Sequence, residues 1–195
     1  MNSAFQNVQK LTLIVLLCSA FVSFAQNQKK IDLSQSDILI EGTSNIHDWE
    51  IDVNDYKGTI SFEAEGQNIT SINDLTLKIW VESFDSGKGK MDKNTYEALK
   101  LKKHPNIDFN FKNTKSLKSN GSGKFSAEIE GELTIAGKTQ SVQIPLEIQM
   151  DNNKFSIKTS KEINMTDYDV EPPTAMFGTI TTGEKVNIKF NLTYL

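Results

Sequence analysis

The sequence predicts an all-β protein built from antiparallel strands, with one short helix inserted between them. Apolar and polar residues alternate with a period of two along most of the chain, and the longest clean run extends from Phe125 to Ile135. Turns rich in glycine and asparagine, such as NGSG at 120–123 and AGK at 136–138, separate the runs. Because one face of each run is apolar and the other is polar, the pattern favours antiparallel neighbours over a parallel sheet covered on both sides.

Nine stretches carry the alternation, and each places its apolar residues on one face. The first is DILIEGTS, and the second begins at His47. The others are marked by in-phase residues at 60–64, 75–81, 107–111, 125–135, 142–150, 155–157 and 186–194. Strands of this number and length can close into a barrel or split into a two-layered sandwich, and periodicity alone does not separate the two.

One segment, MDKNTYEALKLKK at 91–103, lacks the alternation and is rich in helix-forming residues. Asp92 is suited to cap its first turn, and Tyr96 and Leu99, three residues apart, share a face. His104-Pro105 ends the segment, because the residue before a proline avoids the helical region. A second irregular stretch, residues 164–180, is expected to be a loop that covers part of the sheet.

Residues 1–25 have the features of an export signal peptide. Lys10 is their only charged residue, a short apolar run follows it, and the small-x-small sequence SFA ends at Ala25. The apolar run is shorter than the roughly 20 residues that span a bilayer. We therefore expect cleavage after Ala25, a single domain over residues 26–195, and a periplasmic or secreted location.

Composition limits the chemistry that the remaining residues can perform. Loss of Lys10 changes the formal net charge from −4 to −5, which argues against a general nucleic-acid binder. The single cysteine, Cys18, lies within the predicted signal peptide, so the domain has neither disulfides nor thiol chemistry.

The neighbours His47, Asp48 and Trp49 suggest chemistry, but they do not form a catalytic motif. On a strand His47 and Asp48 point to opposite faces, and the chain has no Gly-x-Ser-x-Gly nucleophile elbow. His47 and His104 are the only histidines, too few for the three or four close ligands of a zinc site. We expect no catalytic residue, no metal site and no cofactor.

Four stretches, taken in order, carry a resemblance that covers nearly the whole expected domain. They are GTSNIHDWEIDV (42–53), IWVESFDSGKGKMDKNTYEALKLKKHPNIDFNF (79–111), GELTIAGKTQSVQIPLEI (131–148) and MFGTITTGEKVNIKFNL (176–192). Together they resemble the YceI-like family of exported, polyisoprenoid-binding, lipocalin-like proteins. The hairpin with Gly-x-Leu-Thr-Ile-x-Gly-Lys-Thr is the most specific of the four pieces.

The resemblance implies an extended eight-stranded antiparallel lipocalin-like barrel around a long apolar tunnel. In the family the tunnel holds a polyprenyl chain, so the expected ligand is an amphiphilic polyisoprenoid lipid, such as an isoprenoid quinone or a prenyl phosphate. No enzymatic activity is implied. The chain has no arginine, so it lacks a bidentate anion clamp, whereas lysines still offer point-charge attraction to a polar head.

The residues expected to line the tunnel follow from the family picture together with the in-phase positions. They are Trp49, Phe62, Ile79, Phe84, Tyr96, Leu99, Phe109, Phe111, Leu133, Ile135 and Phe177. A homodimer is compatible with the sequence. Nucleic acid is not an expected partner, and no membrane-spanning segment is expected after signal cleavage.

The rival hypothesis is an exported β-sandwich that binds a protein or a glycan on its surface. Such a module would carry exposed aromatic residues on its polar strand faces, and Trp80, out of phase with Ile79 and Val81, is the main candidate. The lysines of SGKGKMDK (86–93) have two interpretations. They form a solvated loop, or they attract a phosphate or quinone head at the mouth of a barrel.

Overall fold

Antiparallel strands dominate the computed structural model, which describes residues 27–151 and 154–195. The predicted signal peptide lies outside the described residues, and so does the tip of the turn at 152–153. The described strands are β1 (Asn27–Lys30), β2 (Asp37–Ser44), β3 (Trp49–Val53), β4 (Tyr56–Glu65), β5 (Asn68–Trp80), β6 (Phe84–Asp85), β7 (Asn106–Gly121), β8 (Lys124–Ile135), β9 (Lys138–Asp151), β10 (Lys154–Asn164), β11 (Thr174–Ala175) and β12 (Ile180–Tyr194). One α-helix, α1 (Gly89–Ala98), and four 3-10 turns (Leu33–Gln35, Val81–Ser83, Met165–Tyr168 and Met176–Gly178) complete this part of the chain.

The strands form one curled antiparallel sheet. Its order is β1-β4-β5-β7-β8-β9-β10-β12-β2-β3-β6, and the short β11 pairs with β12. Three long ribbons are each interrupted by a few irregular residues, so that β1 continues into β2, β3 into β4, and β5 into β6. Counted in this way, the sheet consists of eight long ribbons plus β11.

Backbone hydrogen bonds join the first ribbon to the last. Lys30 and Leu195 exchange N–H···O bonds of 3.1 and 2.9 Å, and Ile31 forms an isolated bridge with Tyr194. On its other side β1 pairs with β4. The same two ribbons also pair through β2 and β12, at 37–44 and 182–191, so the sheet closes on itself along β12, which leaves few unpaired strand edges in the described chain.

Neighbouring ribbons separate in two places. β5 pairs with β7 only between Thr76–Trp80 and 106–110, and β9 pairs with β10 only at 147–151 and 154–158. Pro145 lies in the part of β9 that pairs with β8 but not with β10. It has no N–H to donate to β10, and its carbonyl accepts a hydrogen bond from the Thr159 hydroxyl.

The predicted fold class is confirmed. Residues 27–151 and 154–195 are almost wholly antiparallel β-structure, with one α-helix inserted between β6 and β7. The number of separate strands is higher than the expected eight, because irregular residues divide three of the ribbons. The sandwich alternative is wrong for the described residues, since the long strands belong to one continuous sheet rather than two layers.

Helix α1 begins two residues earlier and ends sooner than the sequence predicts. It stops at Ala98 because Lys100 adopts a left-handed conformation (φ 57°). The Leu101 N–H bonds to the Tyr96 carbonyl and the Lys100 N–H to the Glu97 carbonyl, the two bonds of a Schellman motif. Asp92 does not cap the helix; it accepts hydrogen bonds from the backbone N–H and hydroxyl of Ser86 and so holds the preceding loop.

An aromatic cluster fills the interior at the end of the sheet that contains β1 and the last residues of β12. Phe62 and Phe155 stack with ring centroids 4.7 Å apart, and Phe155 meets Tyr194 edge to face at 6.1 Å. All three side chains are completely buried. The Tyr194 hydroxyl has no hydrogen-bond partner among the described residues, and burial raises the pKa of this phenol far above its usual value.

Replacing Tyr194 with phenylalanine tests the cost of this unpaired hydroxyl. We expect Tyr194→Phe to raise the free energy of unfolding by about 1 kcal/mol, because a buried polar group without a partner opposes folding. The matched variant is Tyr96→Phe, which loses hydrogen bonds to the carbonyls of Phe84 (2.7 Å) and Glu82 (3.1 Å). Tyr96→Phe should lower the free energy of unfolding by about 1 kcal/mol. Urea denaturation measures both changes, and equal losses would contradict the assignment.

Candidate functional site

Two adjoining cavities occupy the other half of the interior. The outer cavity has a volume of about 340 Å³ and lies between β2, β3, β10, β12 and α1. The inner cavity, of about 80 Å³, continues toward the aromatic cluster and ends against Leu192 and Tyr194. The two cavities share six wall residues, Ile40, Phe84, Ile107, Ile135, Ile163 and Ile188, so they adjoin, and together they are called the path.

Branched aliphatic side chains are the most numerous along this path, and a smaller number of aromatic side chains, among them Trp49, Phe84 and Phe109, share the wall. Along β12, Val186 and Ile188 face the outer cavity, whereas Leu192 and Tyr194 face the inner cavity or the cluster. Val186 and Ile188 are only half-buried, while Leu192 and Tyr194 are buried. The same inward-facing register of β12 thus passes from an open end to a packed end.

Helix α1 forms one wall of the outer cavity. Met91, Thr95, Ala98 and Leu99, spaced at helical intervals, line it. Tyr96 points to the loop between β5 and β6 instead, where its hydroxyl donates to the carbonyls of Phe84 and Glu82. Burial, together with the nearby carboxylates, raises the pKa of Tyr96. The tyrosine therefore stays neutral and ties the helix to the sheet.

The segment after β10 covers the cavity, as the sequence predicts for residues 164–180. Met165, Tyr168 and Val170 of this segment line the wall. Asp169 fastens it, since its carbonyl accepts from Lys100 Nζ (3.0 Å) and its carboxylate pairs with Lys138 Nζ (3.1 Å). Burial raises the pKa of Tyr168 to about 12, with Asp167 adding to the shift.

Polar atoms face the outer cavity only, because Thr159, Lys161 and Tyr194 border the inner cavity through their carbon atoms. Lys88 and Lys90 line it and are exposed, and His47, Asn94 and a few hydroxyl residues complete the polar set. No aspartate or glutamate lines either cavity within the described residues. Lys88 and Lys90 bring positive charge to the mouth, and Lys88 also borders an adjoining surface groove whose wall includes Glu41, Asp48, Glu50 and Glu162.

A family model, the YceI-like domain, matches residues 30–194. The chain belongs to the YceI-like family. Among curated proteins no significant sequence match was found.

Solved structures show the same fold at low sequence identity. The BcnA protein of Burkholderia cenocepacia superposes with a TM-score of 0.67 and 19% identity, covering 84% of this chain and 98% of its own. A polyisoprenoid binding domain from Saccharophagus degradans, implicated in plant cell wall breakdown, has a TM-score of 0.64 and 12% identity, with coverage of 85% and 97%. A Campylobacter jejuni YCEI protein gives a TM-score of 0.57 and 18% identity over 73% and 82% of the two chains.

Seven of the eleven sequence-predicted lining residues of this YceI-like protein face the cavities. Trp49 and Leu99 line the outer cavity. The inner cavity is lined by Ile79, Phe109 and Leu133. Phe84 and Ile135 face both. Contact between these side chains and a ligand stays a prediction.

The other four predicted lining residues lie elsewhere. Phe62 belongs to the aromatic cluster, and Tyr96 faces the β5–β6 loop. Phe111 packs against the core without facing either cavity. Phe177 is fully exposed on the 3-10 turn Met176–Gly178. Period-two phase assigns a face but not a depth along the barrel, and Phe177 is outside any strand, so phase carries no information on it.

Several wall residues were absent from the sequence-predicted set. They include Ile40, Met91, Ile107, Ile163, Met165, Tyr168, Val170, Val186 and Ile188. Ile40, Ile107, Ile163, Val186 and Ile188 lie on strands, where phase could have found them, whereas Met165, Tyr168 and Val170 come from the irregular covering segment. No sequence pattern marks the latter group as cavity walls.

The neighbours His47, Asp48 and Trp49 do not converge on one reaction centre. His47 is exposed, and its Nδ1 lies 2.7 Å from the carbonyl of Asp48. The Trp49 indole N–H donates to the Thr43 carbonyl at 2.9 Å, which fixes the ring against the cavity wall. Within 27–151 and 154–195, no three histidine, cysteine or acidic side chains are grouped to hold a metal ion.

Trp80, the aromatic residue that the sandwich hypothesis relied on, is not a free surface side chain. It is half-buried, and Lys57 Nζ lies 5.4 Å from its ring centroid in a cation–π contact. In the part of the chain that the structure describes, no helix has the length and apolarity needed to cross a bilayer.

The contact between Gly42 and Trp49 offers a test of the wall. A Cβ atom at Gly42 would lie 2.1 Å from Trp49 Cζ2, so Gly42→Ala must displace the indole. We expect a loss of about 1–3 kcal/mol in the free energy of unfolding and a change in tryptophan emission in a Trp80→Phe background. Gly89→Ala, whose Cβ would meet nothing within 4 Å, is the matched control. Unchanged emission from Gly42→Ala would contradict the packing described.

Proposed function

We propose that this YceI-like protein binds an amphiphilic polyisoprenoid lipid in the apolar cavity and carries it through an aqueous compartment without chemical change. The observation that supports the proposal most directly is a path of about 340 and 80 Å³ with an almost wholly apolar wall. Cavities of roughly 300–1,000 Å³ with apolar walls and few polar groups are typical of small-ligand sites. The neighbour from Saccharophagus degradans, a polyisoprenoid binding domain, points to the same ligand class.

The physical chemistry suits a tail-binding site. Burying one five-carbon isoprene unit contributes roughly 3–4 kcal/mol before other terms, at about 0.8 kcal/mol per carbon. A prenyl tail therefore needs no hydrogen bonds along the inner path, where the wall consists of residues such as Ile107, Leu133 and Ile135. The aromatic cluster beyond Tyr194 limits how far the tail enters.

The head group of the ligand belongs at the polar mouth. Lys88 and Lys90 provide positive charge there without a lining carboxylate to neutralise it, which favours a prenyl phosphate or the polar ring of an isoprenoid quinone. A carrier of this kind is consistent with the predicted signal peptide and with a periplasmic or secreted location. A homodimer stays a prediction of the sequence.

Native mass spectrometry tests the proposal. We expect the protein purified without detergent to carry a bound mass that organic extraction releases and that fragments as a polyprenyl compound. The physical reason is the slow escape of a long apolar tail into water. Repeated preparations without any bound lipid, together with no uptake of added isoprenoid quinone or prenyl phosphate, would refute the proposal.

Filling the path should abolish uptake. Ile188 faces both cavities from β12, so Ile188→Trp places an indole across the path and should reduce lipid occupancy at least tenfold. The matched control is Lys189→Trp, the adjacent residue on the outer face of the same strand, where it pairs with Glu41. Circular dichroism checks that both variants fold. Full occupancy in folded Ile188→Trp would show that the ligand binds elsewhere.

A further inference from the structure

Three large apolar side chains at the cavity mouth are turned toward solvent. Ile46 is 58% exposed, Met176 is 68% exposed and Phe177 is fully exposed. Ile46 also lines the outer cavity, and Ala175 and Ile180, on either side of Met176 and Phe177, line it as well. The other exposed large apolar side chains of the described chain, Leu33 (48%) and Leu195 (55%), are less open to solvent than these three.

The two loops that carry these side chains are held side by side. The Asn45 side-chain amide donates to the Thr179 carbonyl (2.9 Å) and accepts from the Thr181 N–H (3.0 Å). The Asn45 N–H donates to the Thr181 carbonyl (3.1 Å). Ile46 and the pair Met176–Phe177 therefore project from one continuous rim.

The backbone presents the aromatic side chain outward at an energetic cost. Met176 and Phe177 have φ values of 51° and 56°, in the left-handed region that non-glycine residues rarely adopt. Neither side chain packs against the core. Thr179 donates from its N–H and its hydroxyl to the Met176 carbonyl and so holds the turn, but the two exposed side chains add no apolar burial that would offset the strain. Exposed apolar side chains on a strained turn point to a role in contact with another phase or molecule.

The charge beside the rim indicates which partner it meets. Lys88 and Lys90 line the same cavity as Ile46, and no carboxylate lines it. We propose that this mouth rim, formed by Ile46, Met176 and Phe177 with Lys88 and Lys90, docks onto a bilayer that contains anionic phospholipid. This inference rests on the proposed function, since a polyisoprenoid lipid enters or leaves its carrier at a membrane.

A bilayer fits the rim better than a protein partner does. Protein interfaces need about 800 Å² per partner around a packed apolar centre. Here three separate side chains protrude from two loops, with lysines beside them. Such side chains insert at the headgroup boundary while the cations stay at the level of the phosphates. The cavity mouth then faces the acyl region, and the tail passes between bilayer and protein without crossing water.

Vesicle flotation tests the inference with protein expressed from the full sequence. We expect wild type to float with vesicles of phosphatidylethanolamine and phosphatidylglycerol, and less with phosphatidylcholine alone. The Met176→Ser/Phe177→Ser double variant should bind the anionic vesicles about tenfold more weakly or worse. Lys88→Gln/Lys90→Gln should lose only the preference for anionic vesicles, an effect that high salt reproduces in wild type.

The matched control is Leu33→Ser. Leu33 is 48% exposed and lies beside Thr193, whose carbonyl accepts from the Asp32 N–H, at the opposite end of β12. That end is roughly 45 Å from the rim at 3.3 Å per residue. Leu33→Ser should float as wild type does. Wild-type binding by the double variant, an equal loss in Leu33→Ser, or no flotation of wild type would overturn the inference.

A second readout separates docking from ligand binding. Met176 lines neither cavity, so Met176→Ser should retain lipid delivered from detergent micelles while it binds vesicles several-fold more weakly. If wild type floats but takes up no polyisoprenoid lipid by any route, the proposed function fails and the docking surface stands. If wild type instead forms a dimer that Met176→Ser dissociates, and does not float, the rim is a protein interface and the inference is wrong.

Discussion

The size of the side chains inside a sheet of eight ribbons decides what this protein can be. An eight-stranded barrel encloses a space that side chains either fill completely or leave just large enough for one small ligand. Because side chains of a strand alternate between its two faces, about every second residue faces that space, and most of these residues are apolar here. The fold therefore fixes the number of inward positions. The volume of the side chains at those positions determines whether the interior is a packed core or holds a cavity.

This protein makes both choices, one at each end. At the end that contains β1, Phe62, Phe155 and Tyr194 occupy the interior and are fully buried. Toward the other end β12 carries Val186 and Ile188 at inward positions, and the wall there combines aliphatic residues with Trp49, Phe84 and Tyr168 around the cavities. The packed end supplies stability through apolar burial, so the open end can remain hollow without unfolding the whole domain.

Much of the fold followed from local pattern, and the limits of that pattern are physical. Period two identified the strands and their inner faces, but the breaks between β1 and β2 or between β5 and β6 are set by how the ribbons bend during closure, which is a tertiary effect. Phase also placed Phe62 and Phe109 on inner faces, but it did not give their depth along the barrel. Phe62 lies in the aromatic cluster, whereas Phe109 lines the inner cavity. Helix α1 ended early because Lys100 takes a conformation that usually signals glycine.

A cavity with no polar groups at depth can discriminate between ligands only by shape. Each additional tail carbon that fits adds a similar increment to the binding free energy. The affinity is therefore expected to rise with tail length until Tyr194 blocks further entry. Selection by head group is left to the mouth, where Lys88 and Lys90 are exposed and water screens their field. A site of this kind has high affinity for a hydrocarbon tail and discriminates only weakly between head groups. Under the proposed function, we therefore expect the place of delivery to depend on where the mouth docks rather than on which head group the cavity binds.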